Sequence, residues 1–305
     1  MNKRETFLLI LTAAFFMLLL SVLRMPGRKP ETEILSLTKV FNSKVEVVLV
    51  GDIMLGRSVM TRTFSAGNFN YPFLKVAERL KEADIVFANL ENPIVVNCPQ
   101  VDSGMKFCTS PELVEGLRFA NISVVTIANN HIGNYGLTGI AETKRFLIDY
   151  AIDYVGSGNL AVKEVKGIKF GFLGFDFTTV SPTDLDYRLV RQSEGLCDVL
   201  IVGVHWGQEY QTLPAESQKE IARKLVGAGA DVISGHHPHV VGSREEVNGK
   251  PTYYSLGNFI FDQMWSEETK KGLAVKLTFR DGKLMAEEEL PIYMSSLGQP
   301  EFVEK

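Results

Sequence analysis

All five histidines of the 305-residue chain, at 131, 205, 236, 237 and 239, stand at strand-end or loop positions behind apolar stretches. A set of oxygen donors shares that placement. Asp52 follows VVLV, Asn89 and Glu91 follow DIVFA, Asn130 and His131 follow VVTIA, His205 follows LIVGV, and the histidines of GHHPH follow DVIS. Loops beyond the carboxyl ends of the strands in an open α/β sheet converge on one crevice, so these side chains can meet although distant in sequence. Carboxylate, amide oxygen and imidazole together suit one or two divalent ions of the Zn²⁺, Mn²⁺ or Fe type. A lone histidine is more often a satisfied structural residue, but five at strand ends are explained more economically by a metal. A nucleophilic triad fits less well, because no G-x-S-x-G elbow occurs and no cysteine adjoins the histidine loops.

The order Gly51-Asp52, Asn89-Leu90-Glu91, Asn130-His131, His205 and Gly235-x-His237-x-His239 resembles the motif series of the calcineurin-like metallophosphoesterases. More closely, GDIMLGR (51–57), NLENP (89–93), NNHIGNYG (129–136), HWGQEY (205–210), GHHPHVV (235–241) and YSLGNFIFD (254–262) resemble the poly-γ-glutamate capsule synthesis (CapA) family. The resemblance implies a metallophosphoesterase-like fold and a divalent metal cofactor. Carried over residue by residue, it makes Asp52 a ligand of one ion and Glu91 the bridge between two. Asn130, His205 and His237 would hold the second ion and His239 would complete the first. His131 would be the catalytic group beside the substrate, as a general acid or an oxyanion stabiliser. His236 would occupy the variable slot outside the ligand set. Two positions depart from the phosphoesterase pattern: Met54 stands where D-x-H would place a histidine, and Ala88-Asn89 replaces the usual Gly-Asp pair.

Strand–helix alternation accounts for how such loops would be placed. VEVVLVGDI, DIVFANLEN, ISVVTIANN, GIKFGFLGF, LCDVLIVGVHWG and DVISG read as strands with continuous apolar runs. PFLKVAERLKEA, PELVEGLRFA, GLTGIAETKRFLIDYA and ESQKEIARKLVGAG carry helical spacing. Such alternation indicates a largely parallel, covered sheet, and the strand-rich end after PTYYSLGNFIF adds hairpins with N-G and D-G turns. The expected class is α/β, a layered α/β/β/α sandwich. Around the site, Gly51, Gly56 and Gly133 are expected to permit tight backbone, and Trp206 and Tyr210 to pack under the loop rather than line a cleft. Arg57 has two readings, neutralising an anionic substrate or making a structural salt bridge, and Asn258 either bonds near the metals or caps a turn.

Composition narrows the partners. A net charge of −4 and 22% charged residues give no basic face for a nucleic-acid backbone. Lys3 and Arg4 precede an apolar run from Phe7 to Leu23, long enough for one transmembrane helix and without a small-residue cleavage site. The expected organisation is a membrane anchor over 1–25, a stalk over 26–43 and the metallophosphatase-fold domain over 44–305. Arg24, Arg28 and Lys29 balance the leading charges, so the charge rule alone leaves orientation open. Cys98 and Cys108, close together in one loop, lean outward, because a short bridge could form in an oxidising compartment; two free thiols is the other reading. Cys197 is then expected as a buried thiol. The function these expectations add up to is a membrane-anchored, extracytoplasmic, metal-dependent hydrolase-like protein of capsule or poly-γ-glutamate synthesis. Synthase or export subunits and an anionic polymer or phosphoester substrate would be its partners. The alternative is a non-catalytic, polymer-binding scaffold.

Overall fold

The computed structural model describes residues 44–303. The expected anchor over 1–25 and stalk over 26–43 lie outside the described residues, among which no helix is long and apolar enough to cross a membrane. In chain order the strands are β1 (Lys44–Ile53), β2 (Ile85–Leu90), β3 (Ile122–Thr126), β4 (Asp153–Val155), β5 (Ala161–Val165), β6 (Ile168–Asp176) and β7 (Val199–His205). They continue with β8 (Val232–His236), β9 (Arg244–Val247), β10 (Lys250–Tyr253), β11 (Asn258–Ile260), β12 (Lys271–Arg280), β13 (Lys283–Ser296) and β14 (Gln299–Phe302). The α-helices are α1 (Arg57–Ser65), α2 (Ala77–Leu80), α3 (Val114–Phe119), α4 (Gly136–Asp149), α5 (Asp184–Glu194), α6 (Glu216–Gly227) and α7 (Glu267–Lys270).

Two sheets form. One runs β14-β13-β12-β1-β2-β3-β4 with β11 beside β1, and the other runs β5-β6-β7-β8-β10-β9. β1 to β4 are mutually parallel, as are β1 and β11 and β6, β7, β8 and β10, while β12, β13, β14, β5 and β9 pair antiparallel. Strands buried on both faces need apolar side chains at successive positions, which is why the runs are continuous rather than alternating. Val45, Val47 and Leu49 of β1 face Phe170, Phe172 and Ile201 of the second sheet in one apolar layer. Val48 and Val50 point the other way, into a layer with Met60, Leu117 and Leu147 from α1, α3 and α4. Val190 and Leu225 of α5 and α6 cover the second sheet's outer face. The molecule is thus a mixed α/β fold of two sheets with helices against their outer faces.

Some local expectations change. PFLKVAERLKEA is a 3₁₀ turn over Tyr71–Phe73 followed by the four-residue α2, not one helix. Phe73, Val76, Ala77 and Leu80 are all buried at helical spacing, but Val76 N–H bonds the Phe73 carbonyl, so the spacing reported burial rather than an α-helical ladder. α1 and α5 were not foreseen. The N-G and D-G turns are as expected: Asn248 and Gly249, then Asp281 and Gly282, all have positive φ, the backbone of a two-residue hairpin turn.

Candidate metal centre

The floor of the site is a pair of carboxylates at adjacent strand ends. Asp52 and Asn89 are register partners of β1 and β2, and Glu91 is the first residue beyond β2; all three are fully buried. Gly51 allows Asp52 to reach this position, because a Cβ there would lie 2.0 Å from the Gly257 carbonyl oxygen. Gly56 likewise faces the Cys108 carbonyl at 2.3 Å, whereas Gly133 has open space around it. Close backbone approach, not a positive φ, is the reason for the first two glycines.

A chain of amides orients the carboxylates. Asn129 Oδ1 accepts from the His131 and Ile132 backbone N–H groups, so its Nδ2 donates to the Leu90 carbonyl and to Asn89 Oδ1. Asn89 is thereby turned to offer Nδ2 to Asp52 Oδ1 (2.9 Å) and Glu91 Oε2 (3.3 Å). Asn89 therefore holds ligands rather than acting as one. The sequence reading did not single out Asn129.

The histidines divide by what their nitrogens touch. His236 uses both, Nδ1 on Asp52 Oδ1 (3.0 Å) and Nε2 on Ser234 Oγ (3.2 Å), so it stands behind Asp52. His239 Nδ1 faces Asn258 Oδ1 (3.1 Å) and Asp52 Oδ2 (3.3 Å), leaving Nε2 to point at Glu91 Oε1 at 3.5 Å. Asn258 in turn is fixed by donating to Gln263 Oε1 and the Thr269 carbonyl, which decides between its two readings. His205 Nε2 lies 3.1 Å from Asn130 Oδ1 and 3.9 Å from Glu91 Oε1. The His237 ring sits 4.8 Å from that of His205, and its Nδ1 is buried without a hydrogen-bond partner. Asp52, Glu91, Asn130, His205, His237 and His239 are thus brought into one cluster.

His131 stands at its rim, with Nε2 4.0 Å from Glu91 Oε1. Its ring stacks on Phe107 with centroids 3.8 Å apart. Asn134 Oδ1 accepts from the Phe107 N–H (2.6 Å), which identifies it as oxygen; it also faces His131 Nδ1 (3.2 Å), so that nitrogen carries the proton. Nε2 then presents a lone pair to the site. Phe107 is carried by the loop that Cys98 and Cys108 close as a disulfide, with Cα atoms 5.9 Å apart. Arg57 lies over Phe107 at 4.3 Å, pairs with Asp262 and donates to the Gly104 carbonyl, so its salt bridge is structural. Cys197 is a free thiol, half-buried rather than buried.

Met54 is fully buried and its sulfur accepts from the Gly56 N–H, so no ligand comes from that position. Trp206 packs inside as expected, donating Nε1–H to the Tyr254 carbonyl, but Tyr210 does not pack under the loop and is exposed. Glu209, between them, was missed by the sequence reading. It meets His237 and His239 with one ligand atom each, all within 4.8 Å of one another, and Asp52, Glu91 and His239 form a second such group. A carboxylate four residues beyond His205 in the same loop was the available signal.

Burial alone would raise the Asp52 pKa, but hydrogen bonds from His236 and His239 outweigh it and hold the carboxyl well below its usual range. Glu91 goes the other way: burial, opposed by His239 and reinforced by Asp52, lifts it well above the usual value. Burial also lowers His205, His237 and His131, keeping them neutral near pH 7. For His239 the two carboxylates overcome burial and raise it to about 9. Without a cation the centre therefore holds protons where positive charge is wanted.

Among solved structures, a hypothetical protein from Thermus thermophilus superposes with a TM-score of 0.55 at 16% identity, over 81% of this chain and 98% of that one. A Staphylococcus aureus protein described as a candidate 5′-nucleotidase gives 0.51 at 13% identity, over 83% of this chain and 55% of that one. These likenesses speak to fold alone. In sequence, residues 46–263 match the family described as bacterial capsule synthesis protein PGA_cap. The capsule biosynthesis protein CapA of Bacillus anthracis is 34% identical over 79% of this chain and 65% of its own length. The PGA biosynthesis protein CapA of Bacillus subtilis (strain 168) is 34% identical over 73% of this chain and also 65% of its own. This chain therefore spans about 65% of the length of these curated relatives. A profile match over most of the chain, with two relatives at this identity, places it in the PGA_cap family of bacterial capsule synthesis proteins, to which the CapA proteins belong.

Proposed function

We propose that this protein is a metal-dependent, hydrolase-like component of capsule or poly-γ-glutamate synthesis, tethered by residues 1–25 with its domain outside the cytoplasmic membrane. One observation carries the metal reading. Glu91 Oε1 is buried with no hydrogen-bond partner, yet Nε2 atoms of His239, His205 and His131 stand 3.5, 3.9 and 4.0 Å away. Two donors bound at about 2.1 Å to one tetrahedral ion are about 3.4 Å apart, so the gaps suit a cation between the donors better than a hydrogen bond. The donor set, two carboxylates, an amide oxygen and imidazoles, fits Mn²⁺, Zn²⁺ or Fe.

Asp52, Glu91, Asn130, His205, His237 and His239 would hold one or two ions, with His236, Asn89 and Asn258 orienting them. A bound divalent ion supplies Lewis-acid polarisation of a phosphoryl or acyl oxygen and makes a bound water nucleophilic near neutral pH. His131, neutral and with its proton fixed on Nδ1 by Asn134, accepts a proton at Nε2 and can return it to a leaving group. An acid role thus requires His131 to be protonated first. The disulfide fits an oxidising compartment and so supports the outward placement. Synthase or export subunits and an anionic polymer or phosphoester remain the proposed partners. Met54, turned into the core, favours a second reading in which the centre binds polymer without hydrolysing it.

Metal content and hydrolysis of phosphodiester and γ-glutamyl model substrates test both. Expected are a bound divalent ion and metal-dependent turnover that falls at least a hundredfold in His131→Ala. His237→Ala should weaken metal binding at least tenfold, and His236→Ala, which removes an orienting bond, by less. Metal binding without turnover on any substrate would favour the scaffold; absence of binding would remove both readings.

A further inference from the structure

We propose that the rim of the cleft is a docking surface for lipid, so that the centre opens toward the boundary between bilayer and water. Five large apolar side chains stand out at the carboxyl ends of strands, the end of the molecule that carries the centre. Met105 follows β2, Leu137 begins α4 after β3, Tyr210 and Leu213 follow β7, and Trp265 follows β11. Leu137 is 85% exposed, Leu213 76%, Met105 67% and Trp265 64%, so these four are more open than covered. Single exposed apolar residues are ordinary on a protein surface, but a group of them around one opening marks a place of contact.

Internal contacts tie the group into one ridge. Lys106 holds its ammonium 4.2 Å from the centroid of the Tyr135 ring, joining the Met105 loop to the start of α4. Arg57 donates to the Gly104 carbonyl and pairs with Asp262, in the segment that leads to Trp265. The Trp265 ring meets that of Tyr210 edge-on, with centroids 6.4 Å apart. The ridge borders the centre, because Phe107 beside Lys106 carries the His131 ring and the Tyr210 ring lies 6.4 Å from that of His239.

Residue types favour lipid over a charged polymer. Trp and Tyr settle at the bilayer interface, where the ring is in apolar surroundings and its polar edge meets water, and Leu and Met beside them reach deeper. Arg57 and Lys270, cations that could attract a polyanion here, are taken up by Asp262 and Glu267. Apolar insertion rather than headgroup charge therefore carries the contact. Lipid is also the surface that the apolar run from Phe7 to Leu23 offers this chain, so the choice of partner rests on the tether proposed above and not on the metal. Residues 26–43 can extend to about 60 Å. The ten residues of β1 span about 33 Å, so a face at the far end of that strand is within reach of the same bilayer.

The chain has two tryptophans, and Trp206 is in the core, so a fluorescence change on lipid contact reports Trp265. Full-length protein in phosphatidylcholine vesicles with brominated acyl chains should lose Trp265 emission relative to plain vesicles, in low and molar salt alike. Trp265→Phe should leave only the emission of Trp206, indifferent to bromine. Leu137→Asp, at a position with little packing to lose, should lower the docked-to-undocked ratio about tenfold while Trp206 emission reports an intact fold. The anchor would carry the chain down with vesicles whichever way the domain faced, so quenching and not sedimentation is the test. Protein that sediments but emits equally in both kinds of vesicle would overturn lipid docking and leave the tether standing. Protein that stays in the supernatant with Trp265 unquenched would overturn both. Trp265 emission that responds to added poly-γ-glutamate and not to lipid would assign the ridge to polymer and overturn the proposal.

Discussion

At His239 two carboxylates compete with burial for control of one proton. Burial disfavours the imidazolium, but Glu91 and Asp52 raise its pKa to about 9, above the value of about 6.5 expected in the unfolded chain. A raised folded-state pKa contributes stability that is fully present below about 6.5 and is lost as pH rises through about 9. A ligand nitrogen must shed that proton, so cation binding releases it, and apparent affinity should climb roughly tenfold per pH unit between 6.5 and 9. Calorimetric Mn²⁺ titrations in buffers of different ionisation enthalpy would count the proton; a pH-independent affinity would exclude His239 as a ligand. That His239 and Asp52 meet could be anticipated, because both follow apolar strand runs. The duty of Asn89 could not: residue type shows an amide, but whether it offers oxygen or nitrogen depends on Asn129, held in turn by two backbone N–H groups. Glu209 escaped notice for a related reason, since its meeting with the histidines depends on two loops tied by backbone bonds from Trp206 to His236 and from Tyr210 to Pro238.

The segment from Asn97 to Ser110 illustrates how an irregular element can be as well specified as a helix. It is tied by the Cys98–Cys108 bond, by Phe107 N–H on Asn134, and by Arg57 on the Gly104 carbonyl. Replacing both cysteines by serine should cost about 2–4 kcal/mol of stability in chemical denaturation. Because Phe107 is the ring on which His131 rests, the same variant should lose turnover beyond what its metal content explains. Metal content unchanged and turnover intact would mean that the loop only stabilises. In the unreduced, denatured chain one thiol should react, that of Cys197, and in the folded chain it should react slowly, because burial pushes it up to about 11. Regular elements were legible where local chemistry alone decides them, as in the Asn248-Gly249 and Asp281-Gly282 turns. The break between Tyr71–Phe73 and α2 was not, since the same four apolar residues are buried whether or not the backbone between them is helical.

Across the whole molecule, buried carboxylates and an unpartnered imidazole nitrogen make the metal-free fold electrostatically incomplete. A cation that binds only the folded chain should stabilise it by about 2.7 kcal/mol at a hundredfold excess over its dissociation constant. For a domain of this size that is a rise in melting temperature of about 5–10 °C, reversed by a chelator. Equal melting curves with and without Mn²⁺ would count against the centre. The parallel, two-faced strands made this α/β layering readable early, while the position of β12 was not, because nothing in its residues says which edge it joins. Its place has a consequence in time. β12 lies against β1 with Arg280 opposite Lys44, so the earliest described strand cannot complete its pairing until one of the last has been made. Contacts of such long sequence separation form slowly. A chain emerging from its N-terminus would keep one flank of β1 open, with Val45, Val47 and Leu49 waiting for their layer, through synthesis of everything as far as β12. Folding here is therefore an event at the end of chain delivery, and until then this molecule depends on whatever keeps an unfinished strand from pairing with a stranger.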